Sequence, residues 1–204
     1  MKKTVRWLTA TLLAAYLLPA WADDAQALKA LLGQVKQFSA HFQQQVFDVE
    51  GQPLQQASGE LLVSRPDRFR WETKSPDESL ILSDGKSVWF YDPFVEQVSI
   101  TKLADAVVNT PFLLISSTDP SLWARYDVLK EENAFTVTSK QKGQRIESLR
   151  LIFGQNGQLS RFEVNETQGQ RSEFELSQYN AQPAVPASSF RFEVPKGVTV
   201  DDQR

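Results

Sequence analysis

A mainly β fold, built as one large antiparallel sheet of about eleven strands that curls toward a barrel, is what this chain predicts. Three observations support it. Apolar and polar residues alternate with period two from Phe38 nearly to the C-terminus. Turn signals punctuate the alternation: SDGK at 83–86, EEN at 131–133, KGQ at 142–144, GQNG at 154–157 and TQGQ at 167–170. One stretch, 103–123, breaks the pattern with side chains too apolar for an exposed connection.

Residues 1–22 read as an export signal and stand outside the fold. Lys2, Lys3 and Arg6 form a basic start, WLTATLLAAYLL is an apolar run too short for a bilayer span, and Ala20 and Ala22 put small residues at the cleavage positions. A mature chain from Asp23, forming a single domain over 23–204, is expected. Ala25, Leu28, Leu31, Leu32 and Val35 then recur at helical spacing, with Asp24 available as N-cap.

From Phe38 the period becomes two. Phe38, Ala40, Phe42, Gln44 and Val46 share one side of a strand and His41 lies on the other. Gly59, Leu61 and Val63 form the next inner row, and Phe69, Trp71 and Thr73 the one after, with Arg68, Arg70 and Glu72 opposite. Arg65, in SRPDRFRW, has the parity of the aromatics, which turns a guanidinium toward the apolar side. On parity alone, an ion pair with a carboxylate at the strand end is the simpler explanation. Further strands are expected at 79–82 and 87–91, joined by the SDGK hairpin, and at 96–101, 126–130, 134–139, 145–153, 158–165, 171–179 and 190–194. YNAQPAVPASSF at 179–190 reads as a proline-spaced crossover.

A curled sheet of that size leaves a concave side too wide for strand side chains alone to fill. Two segments can occupy it: the first helix, and 103–123, read as a short helix pair across the barrel mouth that presents Val107, Val108, Phe112, Leu113, Leu114 and Ile115. Sequence alone does not separate the wall of a cavity from ordinary core.

Composition narrows the chemistry. Without Lys2, Lys3 and Arg6, 19 basic residues face 25 acidic ones, a net charge of −6 with the arginines scattered, a poor match to nucleic acid. There is no cysteine, hence no disulfide, no thiolate and no site for lipid attachment. The one histidine, His41, reads as a surface or rim residue. Asp77 and Glu78, adjacent on extended chain, point apart and do not flank a common bond. Asp201 and Asp202 read as a solvated tail. No nucleophile elbow or phosphate loop is present, and neither a metal nor a cofactor is implied. The residues describe a non-enzymatic binding protein with an apolar ligand.

RPDRFRW, PDESLILSDGKSVWFYDPFVEQV, NTPFLLI and the terminal FEVPKGVTVDDQR resemble the LolA family, periplasmic carriers that take lipoproteins from an inner-membrane transporter to an outer-membrane acceptor. The resemblance spans essentially the whole mature chain. It implies an incomplete, unclosed antiparallel β-barrel with short helices forming a lid over a hydrophobic cavity. It also implies that Arg65 hydrogen-bonds to backbone carbonyls of the lid and holds the empty carrier shut. The residues expected to contact acyl chains are Phe38, Phe42, Phe69, Trp71, Ile81, Trp89, Phe112, Leu113 and Ile115. The implied partners are acylated lipoproteins, a lipoprotein-releasing ABC transporter of the LolCDE kind and an acceptor lipoprotein of the LolB kind, met in the periplasm by a monomer. Arg70, Glu72 and the 116–121 loop depart from the family pattern, which touches the rim. The alternative is a periplasmic lipid or lipoprotein sensor domain; such regulators carry an additional domain.

Overall fold

The computed structural model describes residues 21–204; most of the expected export signal lies outside the described residues. The chain runs α1 (Trp21–Gly33), β1 (Gln37–Phe47), β2 (Pro53–Ser64), β3 (Arg68–Ser75), β4 (Ser79–Asp84), β5 (Ser87–Asp92) and β6 (Gln97–Lys102). The interruption follows as α2 (Leu103–Asn109), a 3-10 helix (Pro111–Ile115) and α3 (Pro120–Trp123). Then come β7 (Tyr126–Glu131), β8 (Ala134–Ser139), β9 (Ile146–Phe153), β10 (Leu159–Glu166), β11 (Arg171–Asn180), a 3-10 turn (Ala187–Phe190) and β12 (Thr199–Asp202).

The twelve strands make one sheet in the order β12-β6-β5-β4-β3-β2-β1-β11-β10-β9-β8-β7. It does not close: β12 and β7 remain edges. All neighbours are antiparallel except β12, which pairs parallel with β6. Helix α1 packs against the β7 edge. Asp24 does not cap it. The helix starts upstream at Trp21, and the Asp24 carboxylate instead accepts from the backbone N of Lys130 at 3.0 Å, on an edge strand whose amides would otherwise face solvent.

Two other expectations change. The strand expected at 190–194 is absent; prolines at 183, 186 and 195 remove ladder donors around it. Its alternation reflects burial on the outer face of the sheet. Phe190 is buried beside β3 and β4, where the Arg68 guanidinium lies 5.6 Å from its ring centroid, and Phe192 sits 5.2 Å from Tyr91. The last strand is β12, four residues long, which alternation did not reveal. The 103–123 segment is one short α-helix, a 3-10 helix and a single α turn rather than a helix pair. Pro111 and Pro120 start its second and third pieces, because proline is tolerated at a first turn but not inside a helix.

Register fixes which faces are inward. Phe69 pairs with Ser83 and Trp71 with Ile81; Ile81 pairs with Phe90 and Ser83 with Val88. These residues share the concave side. On β1, Phe42 pairs with Gly59 of β2 and Leu176 of β11. Gly59 is required there: a Cβ would come 2.0 Å from the Glu72 carbonyl oxygen and 2.8 Å from the Phe42 ring.

Candidate functional site

The concave face is an aromatic basin. Trp71 stands at its centre, with ring centroids 4.0 Å from Phe42, 5.2 Å from Phe174, 5.8 Å from Phe162 and 6.2 Å from Phe69. Phe162 and Phe174 stack at 4.4 Å. Five rings from four strands thus meet in the offset and edge-on arrangements that aromatic pairs favour.

The lid fills this basin. Phe112 reaches down from the 3-10 helix to 5.4 Å from Phe69, 5.2 Å from Trp71 and 6.3 Å from Phe162. Leu113, Leu114 and Ile115 are buried to within 1% exposure, and Val107 of α2 likewise. The hydrophobic hollow expected beneath the lid exists as a lining, and in this state the protein's own side chains occupy it.

Arg65 bonds to that filling, by a geometry different from the strand parity that first turned it inward. It lies in the turn between β2 and β3, not in a strand. Its backbone N donates to the Lys36 carbonyl at 2.8 Å, and its guanidinium Nη2 donates to the carbonyl oxygen of Ile115, at the end of the 3-10 helix where no intrahelical donor remains. Two residues on, the Asp67 backbone N donates to the Ser116 carbonyl at 3.0 Å, and the Ser83 hydroxyl donates to the Asp67 carbonyl at 2.7 Å. One turn is thereby tied to the residue preceding β1, to β4 and to two successive carbonyls of the lid.

Burial lowers the Arg65 guanidinium to a pKa of about 10, with Tyr179 and Asp67 nearby opposing the shift. The Tyr179 phenol is pushed up to about 12 by its own burial, against the pull of Arg65. Arg65 is therefore charged at neutral pH and Tyr179 is protonated. The Arg65 Nε and the Asp67 Oδ1 are buried without a partner among the described residues, and such atoms cost about 1–3 kcal/mol each.

Of the residues expected to contact ligand, Phe38, Phe42, Phe69, Trp71, Leu113 and Ile115 are buried in this cluster, and Ile81 and Phe112 pack against it half-buried. Trp89 does not join them. It pairs with Leu82 and Ile100 on the outer face, because the inner positions of β5 are Val88 and Phe90. Within SVWFY, Val88 to Tyr91 form a continuous apolar run with no internal parity, so only pairing to β4 decides which ring faces in.

Sequence reasoning missed Phe162, Phe174 and Tyr179. The first two were readable, as the apolar positions of their alternating strands. Tyr179 was not: Gln178 at φ +51° and the register shift opposite Ser39 and His41 insert an extra residue, which turns Tyr179 inward to stack on Phe38 at 4.9 Å. His41 is exposed, 4.0 Å from a Glu60 oxygen, as a rim residue should be.

A family model described as outer membrane lipoprotein carrier protein LolA matches residues 33–193. The chain belongs to the LolA family. It is 55% identical over 184 residues to the outer-membrane lipoprotein carrier protein of Aeromonas salmonicida, covering 90% of this chain and 91% of that one. It is 45% identical to the protein of the same name from Pectobacterium carotovorum, covering 90% of each. Among solved structures, an uncharacterized conserved protein from Thermus thermophilus shares the fold at TM-score 0.52 and 14% identity, over 87% of this chain and all of the other. A DUF1329 family protein from Desulfovibrio piger does so at 0.51 and 12%, over 84% and 96%. The LolA match and the unclosed sheet with its short helices agree with what RPDRFRW and NTPFLLI implied.

Proposed function

We propose that this chain, as a single domain freed of its export signal, is a periplasmic carrier that encloses the acyl chains of lipoproteins released from the inner membrane and gives them up to an outer-membrane acceptor. Phe112 among Phe69, Trp71 and Phe162 supports this most directly. A lid that inserts its own apolar side chains into an aromatic basin makes an empty state that is already well packed. Cargo must then replace that packing, so net affinity is the difference of two large quantities.

Release is the harder half of carriage. An acyl chain gains about 0.8 kcal/mol per buried methylene, roughly 10 kcal/mol for one long chain, and a protein that kept all of it could not hand the load on. Return of the lid recovers much of that burial. Arg65 adds the Ile115 bond, worth about 1.5–3 kcal/mol for a charged donor, only when the lid is down. The inner-membrane donor is read as a lipoprotein-releasing transporter and the recipient as an acceptor lipoprotein. The sensor alternative is not favoured, since the relatives at 55% and 45% identity are both named as carriers.

The test is occupancy. Purified mature protein mixed with a fluorescent fatty-acyl probe should bind it with Phe112 solvent-exposed, and should pass bound lipoprotein to a purified acceptor. Absence of any acyl binding in the wild type would falsify the carrier reading.

A further inference from the structure

We infer that the lid is held by a second catch, formed by Arg125 and Tyr126 at the start of β7, and that the plug swings between two anchored points. This rests on the carrier reading of the same lid. The Tyr126 hydroxyl donates to the Val107 carbonyl at 3.3 Å, and Arg125 Nη1 donates to the Ala104 carbonyl at 3.1 Å. Ala104 and Val107 are three residues apart, so Arg125, just before β7, and Tyr126, its first residue, grip successive turns on one side of α2. At its first residue α2 is also tied to the other part of the sheet, where the Leu103 backbone N donates to the Lys86 carbonyl at 2.9 Å. Helix α2 thus bridges the gap between the β4–β5 hairpin and the edge strand β7, which no strand pairing closes.

Phe112 lies between the catches. Val107, held by Tyr126, precedes it by five residues, and Ile115, held by Arg65, follows it by three. Loss of one anchor leaves the plug attached by the other, so either catch alone retains the lid near the basin while the ring withdraws. Tyr126 is buried, and burial raises its phenol pKa, so at neutral pH the hydroxyl is a permanent donor. Both catches take backbone carbonyls, which leaves the identity of the lid side chains free to serve packing.

Tyr126→Phe isolates the idea, since it removes one hydroxyl and keeps the buried ring. Amide hydrogen exchange and acyl-probe binding would be measured on the mature full-length chain for wild type, Tyr126→Phe, Arg65→Leu and the double variant. In Tyr126→Phe, exchange across 103–109 should speed up about fivefold with 112–117 nearly unchanged, probe affinity should rise about threefold to fivefold, and the melting temperature should stay within a degree or two. Arg65→Leu should show the reverse regional pattern, and the double variant the product of both. Wild-type exchange and uptake in Tyr126→Phe would overturn the second catch, as would a global loss of protection, which would mark a purely structural hydroxyl. If no variant binds probe while the regional exchange pattern still appears, the carrier reading fails and the two-point clasp stands.

Discussion

Arg65 is at once charged and half-buried, and its desolvation, opposed by Tyr179 and Asp67, sets the pH range over which it can act. With its pKa near 10 and that of Tyr179 near 12, neither group changes protonation between pH 6 and 9. The fold keeps the Tyr179 proton above its ordinary value of 10.0, so that contribution to stability is complete below pH 10 and is lost as pH rises toward 12; Arg65, with a depressed value, opposes it in the same window. Acyl-probe uptake followed by fluorescence should therefore be flat from pH 6 to 9, and a step inside that range would place control of the lid in another group. Arg65→Leu removes the donor to Ile115 and with it a preference for the closed lid worth a factor of about ten or more. Probe occupancy should rise and transfer to the acceptor should slow. Phe69→Glu, which sets a carboxylate at a fully buried position beside Phe112, should abolish uptake.

At the scale of the strand, period-two alternation was enough to place Phe42, Phe69 and Trp71 on a common face, because one side of each strand is apolar and the other polar. It failed where that contrast vanishes. In VWFY, 88–91, every residue is large and mostly apolar, and the choice between Trp89 and Phe90 depends on pairing with Ile81, which sequence does not carry. It failed again at 190–194, where alternation marks a segment buried against the outside of the sheet, and at Tyr179, where a bulge reverses parity. Arg65 came out inward through an assumption the turn does not satisfy; its direction comes from the bond to Ile115. Two measurements separate the faces. Trp89→Ala should lower the melting temperature and leave probe affinity unchanged, whereas Phe90→Glu should remove binding. At Gly59 the limit is steric: an added methyl would meet the Glu72 carbonyl, so Gly59→Ala should force β2 from β3 and cost about 2–4 kcal/mol in denaturant unfolding.

Across the whole molecule, the open sheet leaves a concave interior that the lid's own side chains fill. Closing the sheet would fix the volume of the hollow; with β7 and β12 left as edges, the 103–123 segment lies between the two parts of the sheet and is bonded to both. The competition sets a threshold in cargo length. Phe112, Leu113, Leu114 and Ile115 together gain roughly 5–10 kcal/mol by burial, whereas each methylene of a guest gains about 0.8. Chains shorter than about eight methylenes should fail to displace the plug, and beyond that length each added methylene should tighten binding about fourfold. Dissociation constants for a series of saturated acyl probes from six to eighteen carbons would show this as undetectable binding for the shortest probes followed by a steady fall in the constant. Phe112→Ala weakens the competitor without touching the wall, so its threshold should move to shorter chains while the later slope stays the same. A single straight dependence from the shortest probe, identical in both proteins, would mean that guest and lid do not contend for one space.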